Sequence, residues 1–134
     1  MQHGSFDTHV NQKQTQDRLL GELSNALAAF YDDLGAHGND KNVLTMTFSE
    51  FGRRVGENAS RGTDHGEASP LFLIGGGVKG GVYGAHPDLN QLNMGNLAFT
   101  TDFRSVYATV LEKWLGRPSA PILSGSFQTL SALG

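Results

Sequence analysis

At 134 residues the chain is long enough for one domain with a core and too short for several. A net charge of −3 without a basic stripe argues against nucleic acid as a partner, and no apolar run approaches the roughly 20 residues that cross a bilayer. Cysteine is absent, which excludes disulfides, thiolate metal sites and cysteine nucleophiles, while 18 glycines against an apolar fraction of 38% suggest a loop-rich α/β chain.

In chain order, Asp7 and His9 come first. They stand two apart, which on an extended segment puts both side chains on one face. That suits a shared metal or hydrogen-bond network, and equally a frayed polar terminus. Nothing nearby has the basic and apolar regions of a signal peptide.

Residues 16–34 carry Leu19, Leu20, Leu23, Ala26, Leu27, Phe30, Tyr31 and Leu34 at three- and four-residue steps, predicting a helix with one apolar face. Thr15 is the expected N-cap and Gly35 the expected stop. A polar connection with an exposed His37 leads to a short strand at 43–48. Glu50 and Arg53 follow its C-terminal end, where open α/β sheets bind ligands; a surface ion pair is the plainer reading of the two.

A long polar loop, 55–69, contains Arg61-Gly62-Thr63-Asp64-His65-Gly66. An acid and a histidine stand side by side there between glycines that let another part of the chain approach closely. Such a pair can hold a divalent metal, relay a proton or simply satisfy itself within a loop. His65 is expected in the loop leading into a buried strand at 70–74. After that strand Gly75, Gly77 and Gly80 fit GxGxxG, but no amphipathic helix or βαβ unit follows, so no nucleotide cofactor is expected. Lys79, in that turn, could meet an anion. Residues 86–97 read as irregular. Thr100 or Thr101 then opens a second helix with Phe103, Val106, Tyr107, Val110, Leu111, Trp114 and Leu115 on its apolar face, stopped by Gly116 and Pro118. The tail, 117–134, is expected to lie on the body without forming a large element.

Several segments in order carry a family resemblance: Phe6-Asp7-Thr8-His9 with Asn11-Gln12, Ser49-Glu50-Phe51-Gly52-Arg53, Gly62-Thr63-Asp64-His65-Gly66, Gly75-Gly76-Gly77-Val78-Lys79-Gly80-Gly81, and Thr101-Asp102-Phe103-Arg104 with Val106-Tyr107. Over nearly the whole chain they resemble the C-terminal part of a bacterial family filed as domain of unknown function fifteen hundred and one. That family is placed in the alkaline-phosphatase-like, or sulfatase-like, superfamily. Its members normally run well beyond this length and are usually exported to the periplasm or beyond.

The resemblance implies a single α/β domain over 1–134, the C-terminal part of a doubly wound sheet with flanking helices, truncated relative to its relatives. It also implies a two-metal hydrolytic site at the strand tips. Asp7 and His9 match one ligand segment and His65 another, with Asp64 beside it as a further candidate ligand. Ser49-Glu50-Phe51 stands where an Asp-His pair would be, so Glu50 is the one substitute ligand there and the second metal is in question. Arg53 and Lys79 would hold an anionic ester substrate. Imidazoles with carboxylates suit Zn²⁺, Mn²⁺ or Fe²⁺. The superfamily's nucleophile lies in its N-terminal half and has no counterpart here, so this chain by itself is expected to turn over phosphate or sulfate esters poorly. The alternative is a binding or assembly module that keeps the fold without hydrolysis; a third is a truncated product with no role of its own, whose half sheet would self-associate through an exposed edge.

Overall fold

The computed structural model describes residues 2–134. Mixed helix and strand is what it contains, in two compact units. The first takes in the chain up to Asp40, then Ser49–Pro70 and Asp88–Ala98; the second comprises Lys41–Phe48, Leu71–Pro87 and Phe99–Gly134.

In the first unit, helix α1 spans Gln12–Ala36. It begins three residues before the cap expected at Thr15. Asn11 sits in the left-handed region (φ 45°) and offers no side-chain cap. The work is done by a loop: the carbonyls of Ser60 and Arg61 accept from the amides of Asn11 and Gln12 at 3.0 and 2.9 Å. These are backbone donors a helix start leaves without internal partners. Gly35 does not stop the helix, which runs one residue further and closes at Gly38 (φ 67°), where the Gly38 and Asn39 amides reach back to the Gly35 and Leu34 carbonyls. Leu19 is buried, while Leu20 and Phe30 on the expected apolar face are about half exposed. Strands β2 (Gly52–Arg53) and β3 (His65–Gly66) pair antiparallel, with Arg53 opposite His65. His65 therefore lies on a strand, not in the loop expected for it.

The second unit holds β1 (Leu44–Met46) and β4 (Leu73–Gly75), paired antiparallel with Thr45 opposite Ile74. Both predicted strands exist, each shortened. β4 is only half buried and Phe72 beside it is exposed, because a two-stranded ribbon covers one face at most. Helix α2 (Phe103–Thr109) is capped by Asp102, whose carboxylate accepts from the Arg104 amide at 2.9 Å. Neither threonine expected as the cap does this; Thr100 instead donates to the Ala85 carbonyl. A π-helical turn (Val110–Trp114) continues α2, and Gly116 (φ 62°) ends it. The tail forms a short helix, α3 (Ala120–Leu123), and then returns to the body. Its Ala132 and Leu133 join Val106 and Ala108 in the core. Thr109, fully buried, donates to the Ser105 carbonyl and accepts from the Leu130 amide at 2.8 Å. Among the described residues no helix is long and apolar enough to cross a membrane.

Candidate metal centre

The site is built by hydrogen bonding rather than by apolar packing. Segment 6–9 crosses the start of α1 in an alternating pattern: Thr8 is buried, and Asp7 and His9 on either side of it are exposed. Gln16 donates to the Phe6 carbonyl at 3.2 Å and to the Thr8 hydroxyl at 3.1 Å. The Arg53 guanidinium donates to the Phe6 carbonyl at 2.5 Å and to the Thr63 carbonyl at 2.7 Å. One cation thus ties the segment bearing Asp7 and His9 to the segment bearing Asp64 and His65. Guanidinium geometry suits this, since its donors are held in a fixed fork.

Asn58 organises the second segment. Its side-chain oxygen accepts from the Ser60 and Gly62 amides at 2.9 and 3.0 Å, and its side-chain nitrogen donates to the His9 carbonyl at 3.1 Å. Thr63 donates to the Gln12 side chain at 2.7 Å. The two glycines flanking Asp64 and His65 are sterically required. A Cβ on Gly62 would overlap the His9 backbone, and one on Gly66 would lie 2.6 Å from the Arg53 carbonyl carbon. The close approach anticipated from the sequence is therefore made by the chain's own ligand-bearing segments.

Three side chains converge as a result. Asp7 Oδ1 lies 2.9 Å from His9 Nε2 and 2.7 Å from His65 Nε2, and the two Nε2 atoms are 3.2 Å apart. All three are exposed, so the group opens to solvent. Its three ligand atoms fall within the reach of one cation. His65, and then His9, hold the Asp7 carboxyl below its ordinary value, keeping it ionised as a ligand must be. Phe51 stacks on the His65 ring with centroids 3.8 Å apart and planes 7° from parallel, which fixes the ring's orientation.

The other predicted site residues are placed differently. Asp64 Oδ1 lies 3.8 Å from His9 Nδ1, on the side of that ring away from the converging Nε2. That separation is too long for a hydrogen bond, so Asp64 adds a negative charge beside His9 without holding its ring. Glu50 is exposed and stands outside the group. Arg53 spends its bonds on the Phe6 and Thr63 carbonyls and, at 3.4 Å, the Thr8 hydroxyl, with Nη2 3.9 Å from Asp7 Oδ1. Lys79 belongs to the second unit and lines an open hollow there with Lys113 and the last residues of the tail. Thr8, Phe51 and Asn58 were not anticipated as site-building residues. The one available sequence signal was the position of Thr8 between the two ligands; Phe51 and Asn58 act through ring stacking and loop hydrogen bonds that no spacing announces.

Comparison with known proteins gives one finding. The profile of a family described as "Protein of unknown function (DUF1501)" matches residues 1–116. No curated protein and no solved structure matches the chain.

Proposed function

The chain belongs to the DUF1501 family, and on that premise we propose that it is the metal-binding portion of a hydrolase of the phosphatase/sulfatase-like kind, acting on an anionic ester. The doubly wound alkaline-phosphatase-like sheet is part of this proposal. The observation that carries it is the convergence of Asp7, His9 and His65 on one cation-sized space. Two imidazoles and a carboxylate fit a divalent transition metal by donor chemistry. When bound, such a metal would polarise the ester oxygen and offset its developing charge.

The chain's own residues do the positioning. Asp7, His9 and His65 would hold the ion; Phe51 sets the ring plane of His65, Asp64 adds negative charge beside His9, and Arg53 sets the spacing of the two segments. No nucleophile is assigned within the chain, so the isolated protein is expected to bind metal but hydrolyse aryl phosphates and sulfates weakly. Calorimetric titration with Zn²⁺, Mn²⁺ and Fe²⁺ tests the reading. One ion per chain is expected for the native protein; no binding, or equal binding by His65→Ala and Asp7→Ala, would sink it.

A second reading, a non-catalytic assembly module, is favoured by the apolar side chains exposed in the second unit, Phe48, Phe72, Val82 and Phe99. Sedimentation showing stable oligomers, together with metal binding and no ester turnover in any assembly, would favour it.

A further inference from the structure

A second hollow of the second unit, about 540 Å³, is lined by Tyr83, Gly84, the residues that open α2 and the tail at 128–131. Small-molecule sites run from roughly 300 to 1,000 Å³. Among the described residues, the side chains of Thr101, Ser105, Gln128, Thr129 and Ser131, all on its lining, have no hydrogen-bond partner. Hydroxyls both donate and accept, and the glutamine amide does both through separate atoms. A ligand that meets this set in full has to offer several groups that do the same.

The lining also presents no unmatched charge. Its one carboxylate, Asp102, accepts from the Arg104 amide at 2.9 Å and from the Arg104 guanidinium at 2.6 to 3.2 Å. The start of α2 is thereby capped from within the chain. Lys79 and Lys113 line the neighbouring hollow and not this one. Neither an anion nor a cation finds an opposite charge left over.

The walls are held in place by the protein's own bonds. Tyr83 Oη donates to the Lys79 carbonyl at 2.9 Å, Thr100 to the Ala85 carbonyl at 2.7 Å, and the Leu130 amide to Thr109 at 2.8 Å. The Arg104 guanidinium lies over the Phe127 ring at 4.5 Å, next to Gln128. Gly84, at φ 90°, keeps the space open, since a Cβ there would overlap the Thr101 hydroxyl. Walls fixed beforehand lower the ordering cost of binding.

We infer that this hollow binds a neutral saccharide. Its ring hydroxyls pair with Thr101, Ser105, Gln128 and the tail hydroxyls, and an apolar C–H face packs on the Tyr83 ring. Sugar hydroxyls donate and accept as the lining does, and they carry no charge. The site stands apart from the metal reading, which would survive its failure.

Amide NMR of the full chain, titrated with D-glucose, D-galactose, D-mannose and N-acetyl-D-glucosamine, tests it. At least one of these sugars should shift the amides of Gly84, Ser105, Thr129 and Ser131 saturably, with a dissociation constant of the order of millimolar. Thr101→Val combined with Gln128→Ala should weaken that binding at least about tenfold at an unchanged denaturation midpoint. Where the double variant alters the fold, Ser105→Ala, which removes one bond without adding bulk, should give a loss of about fivefold. No saturable shift with any of these sugars up to about 100 mM, or unchanged affinity in the variants, would overturn the inference. Inorganic phosphate should leave these amides in place; shifts with phosphate and none with sugar would make the hollow an anion site and overturn it as well.

Discussion

The two units solve the same problem with different materials. In the second, Val106, Ala108, Ala132 and Leu133 are buried together, and Thr109 fastens the tail to the helix. In the first, Leu19 is the one buried large apolar side chain among the described residues. Order there comes from the Arg53 fork, the Asn58 loop bonds and glycines pressed against neighbouring backbone. Apolar burial is non-directional and tolerates adjustment, while hydrogen bonds and backbone contacts fix atoms at particular places. A metal site needs the second kind of order, and the contrast shows where this chain put it.

The ligand residues break the comparison most sharply. His65→Ala or Asp7→Ala is expected to cut metal affinity at least about 100-fold, roughly 2.7 kcal/mol, by calorimetry. Amide exchange across α2 and the tail should not change. A matching pair of substitutions comes next. Gly62→Ala forces a side chain into the His9 backbone and should cost about 1–3 kcal/mol in denaturant titrations while weakening metal binding. Thr109→Val keeps the volume but leaves the part-buried Leu130 amide without its acceptor, a loss of about 1 kcal/mol with metal affinity unaltered. Equal effects of both on metal binding would dissolve the distinction between the units.

Smaller effects sharpen the picture. Asp64→Asn should lower affinity about tenfold, at the modest end of the range for outer carboxylates because its distance to His9 is long. The Co²⁺ spectrum of this variant should keep its form; a change of form would make Asp64 a ligand. The smallest effect concerns pH. Arg104 holds the Asp102 carboxyl below its ordinary value in the folded state. The resulting stabilisation is present above the unfolded carboxyl value, near 3.9, and is lost as pH falls through the lowered folded one. Asp102→Asn should therefore flatten the acid limb of stability, measured as denaturation midpoints between about pH 5 and 2.

Much of the site could be read in advance because its signals are local. Asp7 and His9 share a face by strand geometry, and Asp64-His65 between glycines marks a close approach. The helix at α1 was visible in its leucines. Its start was not, because the groups that cap it are carbonyls of Ser60 and Arg61, and any residue carries a carbonyl. The placing of His65 failed for a related reason: a two-residue strand has too few side chains to show an alternation, and its partner Arg53 is far off in sequence. Arg53 itself shows the reverse case. Its charge suggested a substrate anion, yet its shortest hydrogen bonds go to the uncharged main-chain oxygens of Phe6 and Thr63, which leave no mark in a sequence.

His9 and His65 are 56 positions apart, and that separation sets an order of events as the protein is made. Asp7 and His9 emerge from the ribosome before His65 and by themselves offer an ion only two donors. Capture has to wait until the later glycine-flanked segment is out and the intervening chain has closed its loop, at an entropic cost that grows only slowly with length. A newly made chain would then acquire its ion as a late step of maturation, and a shortage of that ion would be felt first by chains that have only just finished folding.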